Sequence, residues 1–249
     1  MKQCLFLTTL LGWLCLTPMT GLGQFECGDA VSHEGHNYST VQIGDQCWFS
    51  ENCRYLPEVS PSAELSPLYQ DEQSETAPYY YVYGYEGTDV SDAMATDNYA
   101  TYGVLYNWPA VMTEGICPSG WHIPSNEEFT ELTSFLGGEY PAGNAAKSTS
   151  GWNDDGNDSG NGSNSSGWTG LPGGYRSGCC VWKIGEVGEW WTSSEADSYS
   201  TTGQVEPDAW DRSLQHDVSW FRGFGANRAK GMSARCLRDA FTAAVPGCM

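Results

Sequence analysis

Cys117-Pro-Ser-Gly-Trp-His-Ile-Pro-Ser-Asn-Glu-Glu-Phe-Thr-Glu-Leu-Thr-Ser-Phe-Leu-Gly-Gly138 is the stretch whose reading decides the fold class. Ser125 can cap a helix, and Glu128, three residues on, completes a capping box behind Pro124. Phe129, Leu132, Phe135 and Leu136 recur at helical spacing, and Gly137-Gly138 closes the element. The spacing predicts one main amphipathic helix over about 125–136, burying an aromatic–aliphatic stripe.

Outward from that helix the chain reads as short strands and loops. Upstream, Tyr38-Ser-Thr-Val-Gln-Ile43 alternates, Gly44-Asp45 suits a tight turn, and Cys47-Trp48-Phe49 starts the return of a hairpin. Pro57 to Pro78 is rich in Pro, Ser and Glu and reads as a long surface loop. Tyr79 to Tyr83 suggests a strand by its aromatic density. Downstream, Asn153 to Ser166 is almost wholly Asn, Asp, Gly and Ser, a composition that cannot build a core. Aromatic clusters at Trp168–Arg176 and Trp182–Ser194 follow, and a last strand is expected over Met232–Leu237. With 30 glycines and 11 tryptophans, the chain predicts an irregular, loop-rich α+β domain with short antiparallel strands.

The N-terminal residues read as an export signal over 1–23. Lys2 precedes an apolar run from Leu5 to Leu16, and small residues at Gly21 and Gly23 suit cleavage before Gln24. The run is about half the roughly 20 apolar residues that a membrane span needs. The expected product is secreted or cell-surface, a single domain over 24–239, with no transmembrane segment once the signal is removed. Without Cys4 and Cys15, eight cysteines remain, an even number suited to disulfides, though spacing alone leaves about 105 pairings open. No C-x-x-C pair occurs, which argues against a zinc ribbon or a redox dithiol.

Charge excludes some partners. There are 31 acidic against 11 basic residues, a net charge of −20, and no Lys or Arg between Arg54 and Lys147. Nucleic acid and anionic surfaces should be repelled.

Several segments taken together resemble the Fibrobacter succinogenes major paralogous domain. They are Tyr38–Asn52, Tyr102-Gly-Val-Leu-Tyr-Asn-Trp108, Cys117–Ser125, Gly167-Trp-Thr-Gly-Leu-Pro-Gly-Gly-Tyr-Arg176, Trp190-Trp-Thr-Ser-Ser194 and Ser233-Ala-Arg-Cys-Leu-Arg-Asp239. They occur in the family's order and cover about Cys27 to Asp239. That family in turn resembles the class of C-type lectins and formylglycine-generating enzymes, through the helix start Ile123–Phe129 and the strand Gly231–Arg235. The resemblance implies a C-type-lectin-like domain with a surface or binding role. The family's shared pattern includes Cys117 and Cys236, so these are expected to pair. Cys27 with Cys47 is the second expected bridge, and Cys53 with Cys179 or Cys180 a weaker third. Val245-Pro-Gly-Cys-Met249 looks like the opening of a short cysteine repeat, so 240–249 reads as a linker to a truncated repeat.

Candidate chemistry is sparse. The four histidines form no helical zinc motif, and His33-Glu-Gly-His36 lies in a loop. His122 sits in a turn where capping or packing is expected. Cys179-Cys180 invites comparison with the copper-binding cysteines of formylglycine-generating enzymes, but its surroundings match nothing in them. Calcium is the best metal candidate, with Asp154, Asp155, Asn157 and Asp158 offering hard oxygen ligands on a Gly-punctuated backbone; the competing reading is a solvated turn-rich loop. Trp182, Trp190, Trp191, Trp210 and Trp220 are candidate platforms for sugar stacking. The function expected is a non-enzymatic binding or adhesion module, with extracellular carbohydrate or another surface protein as its partner. The alternatives are a structural spacer of a larger surface protein, or a formylglycine-generating-like or glycan-active enzyme.

Overall fold

The computed structural model describes residues 25–60, 75–154, 156, 160–178, 180–199 and 205–239. The expected signal, the terminal segment 240–249 and most of the loop after Pro57 lie outside them.

The chain opens with two hairpins. β1 (Val31–His33) and β2 (His36–Tyr38) pair around Glu34 and Gly35, both with positive φ, as a two-residue hairpin turn of the primed type requires. β3 (Thr40–Ile43) and β4 (Gln46–Phe49) turn at Gly44, φ +61°, as the sequence predicts. β12 (Leu237–Asp239) adds to the free side of β4, giving the sheet order β12-β4-β3. A second sheet, β11-β10-β9, is built from β9 (Val187–Tyr199), β10 (Val205–Gln215) and β11 (Phe221–Asn227). Two short pairs complete the strands: β5 (Tyr80–Tyr81) with β6 (Leu105–Tyr106), and β7 (Tyr175–Ser177) with β8 (Cys180–Trp182).

Three short helices, α1 (Val90–Met94), α2 (Asp97–Tyr102) and α3 (Trp108–Val111), are each capped by a side chain: Asp89, Thr96 and Asn107. α4 (Asn126–Phe135) is the expected main helix, and the Ser125–Glu128 capping box is present in both directions. α5 (Glu139–Ala146) follows at once. Its Gly143 lies so close to Ser219 and Trp220 that a Cβ would come within 2.4 Å of the Ser219 carbonyl oxygen.

Two aromatic cores lie on opposite faces of shared strands. Successive strand residues point to opposite sides, so β4 sends Cys47 and Phe49 into one cluster and Trp48 into the other. β9 does the same with Trp191 and Trp190. Tyr38, Tyr106, Trp121 and Met232 fill the first core; Phe129, Leu132, Trp168 and Phe221 fill the second. All four β4 residues are therefore buried. Phe135, expected in the helix's buried stripe, is instead 65% exposed and rests against Gly44 at the hairpin turn. Only Phe129 and Leu132 of that stripe face the core fully, because α4 meets the sheet along its first two turns.

Arg235 stands between the two halves, fully buried. Its guanidinium lies 3.8 Å from the Trp168 ring centroid and 5.7 Å from that of Trp190. It donates to the carbonyls of Phe49, Trp168 and Thr169 and to Asn52 Oδ1. Asn52 Oδ1 also accepts from Trp190 Nε1 at 2.8 Å. A buried cation is thus held by carbonyl oxygens and π faces, with no salt bridge to a carboxylate among the described residues.

Both expected disulfides form. Cys27–Cys47 fastens the N-terminal strand region to β4, and Cys117–Cys236 ties the turn before α4 to the final segment. The weaker expectation for Cys53 is overturned: Cys53 is a buried free thiol, and Cys180 is bridged elsewhere. Cys53 packs beside Cys236 in the first core, which takes it away from the β7–β8 hairpin.

Candidate functional site

Three of the four histidines, His33, His36 and His122, have ring hydrogen bonds that brace the fold. His33 and His36 face each other across the β1–β2 turn; His33 Nε2 meets the Gly115 carbonyl at 2.6 Å and His36 Nε2 meets Glu51 at 2.9 Å. His122 extends the cap of α4, with its Nε2 2.8 Å from Glu128 Oε1 while Glu128 Oε2 accepts the Ser125 N–H at 2.6 Å. Burial raises the Glu128 carboxyl, but the hydrogen bonds from His122 and Ser125 outweigh it, and the net shift is downward.

The expected calcium loop is only partly described. Asp155, Asn157 and Asp158 lie outside the described residues, and Asp154 is exposed. Among the described residues, no group of three or more His, Cys, Asp or Glu side chains could hold a metal ion. The loop's root is held by a cation that the chain supplies itself. Lys147, 4% exposed, places its ammonium 3.1–3.5 Å from the carbonyls of Gln215, His216 and Val218, over the Trp152 ring. The Trp152 backbone N–H donates to Asn161 Oδ1, and Asn153 N–H to the Gly185 carbonyl, tying the loop to the turn between β8 and β9. Lys147→Met removes the donor from three carbonyls and should lower stability by about 2–3 kcal/mol in a urea melt. An unchanged midpoint would mean that water replaces the ammonium.

Two of the five candidate tryptophans are unavailable to a ligand. Trp190 and Trp191 are fully buried, one in each core, and their indole N–H groups donate to Asn52 Oδ1 and the Tyr106 carbonyl. An irregular domain with few aliphatics builds its interior from them. Trp182, 47% exposed on β8, Trp210, half-buried on β10, and Trp220, half-buried just before β11, remain at the surface.

Trp220 belongs to a surface cluster at the start of β11, an outer strand of its sheet. Trp220, Arg222 and Phe224 alternate onto one face. The Arg222 guanidinium packs against both rings, 5.4 Å from the Trp220 centroid and 5.6 Å from that of Phe224. The rings themselves are 5.7 Å apart and edge-on, and Glu139 of α5 lies 3.8 Å from Arg222. Phe224 is 41% exposed and Tyr140, beside Glu139, is 70% exposed. The i, i+2, i+4 spacing of the cluster was visible in the sequence; that the strand lies at a sheet edge was not.

Asp211 lies in β10, opposite Phe224 of β11 and Trp191 of β9. It is 2% exposed, and its Oδ1 has no hydrogen-bond partner. Burial, reinforced by Glu189 and opposed by Lys230 and Arg212, pushes its carboxyl up to about 8.

A disulfide-braced α+β domain with antiparallel sheets and one capped main helix is thus the class that fold and surface define. Residues 41–238 match the model of the Fibrobacter succinogenes major domain, and the chain belongs to that family. Comparison with curated proteins and with solved structures gives no match. No helix among the described residues is long and apolar enough to cross a membrane.

Proposed function

We propose that this domain is an exported, non-enzymatic binding module of the C-type-lectin-like class, whose ligand is a neutral carbohydrate held on the outer face of β11. The observation that carries this reading is the Trp220–Arg222–Phe224 cluster, in which two partly exposed, touching rings share one guanidinium. Aromatic faces stack on the apolar C–H face of a sugar ring, and Arg222 with Glu139 supplies hydrogen bonds to hydroxyls. The net charge of −20 disfavours polyanionic glycans. Trp182 and Trp210 would lie outside this contact. Commitment of His33, His36 and His122 to local hydrogen bonds supports a binding rather than a catalytic role.

A neutral-glycan array, run with calcium and with chelator, tests the reading. The parent protein should bind a subset of glycans, and Arg222→Ala with Phe224→Ala should weaken that binding at least tenfold. Binding that needs calcium would bring the Asp154–Asp158 loop into the site. No binding under either condition would overturn the proposal in favour of a structural spacer.

A further inference from the structure

Three sulfur atoms meet where the first core reaches the surface. The Cys53 sulfur lies 3.5 Å from that of Cys236, which is bonded to Cys117. Cys53 and Cys236 are fully buried, whereas Cys117 is partly exposed and lines an open groove of about 350 Å³. Met112, Glu114, Trp121, His122 and Ser193 also line it. A free thiol in contact with one end of a disulfide, whose other end faces solvent, has the arrangement that thiol–disulfide exchange requires.

We propose that Cys53, Cys236 and Cys117 form a relay that passes the buried thiol outward, making Cys117 a latent site for covalent modification by thiol-reactive electrophiles or small disulfides. In the step, the Cys53 thiolate attacks the Cys236 sulfur. A Cys53–Cys236 bond forms, the Cys236–Cys117 bond breaks, and Cys117 leaves as a thiolate that takes up the proton Cys53 lost. One disulfide and one thiol are present before and after, so no oxidant or reductant is consumed. The outgoing thiolate emerges in the groove, where a reagent can reach it.

The environment sets the rate. Burial pushes the Cys53 thiol up to about 12; Arg235 pulls the other way, and Glu51 adds to the burial effect. The phenols of Tyr38 and Tyr106 face the same sulfur and also stay protonated near neutrality. Only the thiolate attacks, so exchange should be slow near pH 7 and accelerate about tenfold per pH unit up to pH 10.

The test is alkylation of the intact, folded protein with N-ethylmaleimide between pH 7 and 10, followed by non-reducing peptide mapping. The expected product carries the adduct on Cys117 together with a Cys53–Cys236 bridge. Its rate should rise with pH as stated, and Cys53→Ala should remove at least nine-tenths of the labelling. Cys117→Ser provides a second, independent reading, because oxidative refolding of that variant should yield the Cys53–Cys236 bridge without passing through exchange. An adduct on Cys53, no adduct at any pH, or two free thiols in Cys117→Ser would each overturn the relay.

Discussion

Replacing Arg235 by methionine should lower the unfolding free energy by about 4 kcal/mol or more. The substitution keeps most of the side-chain volume but takes the side-chain donor from three carbonyls, those of Phe49, Trp168 and Thr169, and leaves Asn52 Oδ1 with only the Trp190 indole N–H. An orphaned buried acceptor costs about 1–3 kcal/mol, and the stacking on Trp168 and Trp190 is lost as well. For a domain of this size, each kcal/mol moves the melting midpoint by about 2–4 °C, so a fall of about 10–15 °C is expected. Burial pushes the guanidinium down to about 9 against opposing contributions from Cys53 and Glu51, so Arg235 stays charged at neutral pH. Arg235→Lys keeps a cation but cannot span the same oxygens, and it should recover less than half of the loss. A midpoint within about 3 °C of the parent for Arg235→Met would show that the carbonyls are satisfied by water.

The second large effect concerns pH. Asp211 is pushed up to about 8 in the folded chain, chiefly by burial, against about 3.9 for an unfolded aspartate. A carboxyl whose folded value is raised contributes stability that is fully present below the unfolded value and is lost as pH rises through the folded one. The window is therefore about pH 4 to 8, with a slope approaching 1.4 kcal/mol per pH unit. Asp211→Asn mimics the protonated carboxyl and removes the titration. Parent and variant should melt together near pH 4, and the variant should pull ahead by several kcal/mol at pH 8–9. General repulsion among the acidic residues acts on both proteins and cancels in the comparison. A constant difference across the whole range would exclude Asp211 as the titrating group.

Local signals in the sequence led to those elements that are locally determined. The β3–β4 hairpin rests on alternation around Gly44, and α4 rests on its capping box, both complete within a few residues. The Cys117–Cys236 bridge came from the resemblance, since spacing left the partners open. The β9–β10–β11 sheet was not legible beyond Ser194. β10 carries Asp208, Asp211 and Arg212 in positions that are buried, and alternation reads such residues as solvent-facing. Arg212 is accommodated by Asn126 and Thr130 of α4, 86 and 82 residues away, a partnership no local window contains. The same limit explains the tryptophans. Trp190 and Trp191 are consecutive and both buried, because β9 has a core on each face. Of the β11 cluster only Trp220 stood out in the sequence, for the converse reason: its exposure depends on the place of the strand within the sheet.

The placement of the two bridges decides how the domain would behave under mechanical load. Cys27 is bonded to Cys47, and Cys47 sits in register with Arg238 of β12, so the strand entering the domain and the strand leaving it meet at one residue. Tension applied across these two points acts on the same end of the antiparallel β4–β12 pair and peels it bond by bond. Peeling stops at Cys236, which is anchored to Cys117. The 27–47 and 117–236 loops bear no extension while their sulfurs hold, and only the 47–117 segment can lengthen. At about 3.3–3.6 Å per residue, that segment limits the added contour to roughly 240 Å, well under half of what the unbridged chain would release. Under such a load the fold would extend to a covalent stop, its reach set by where Cys117 is tied.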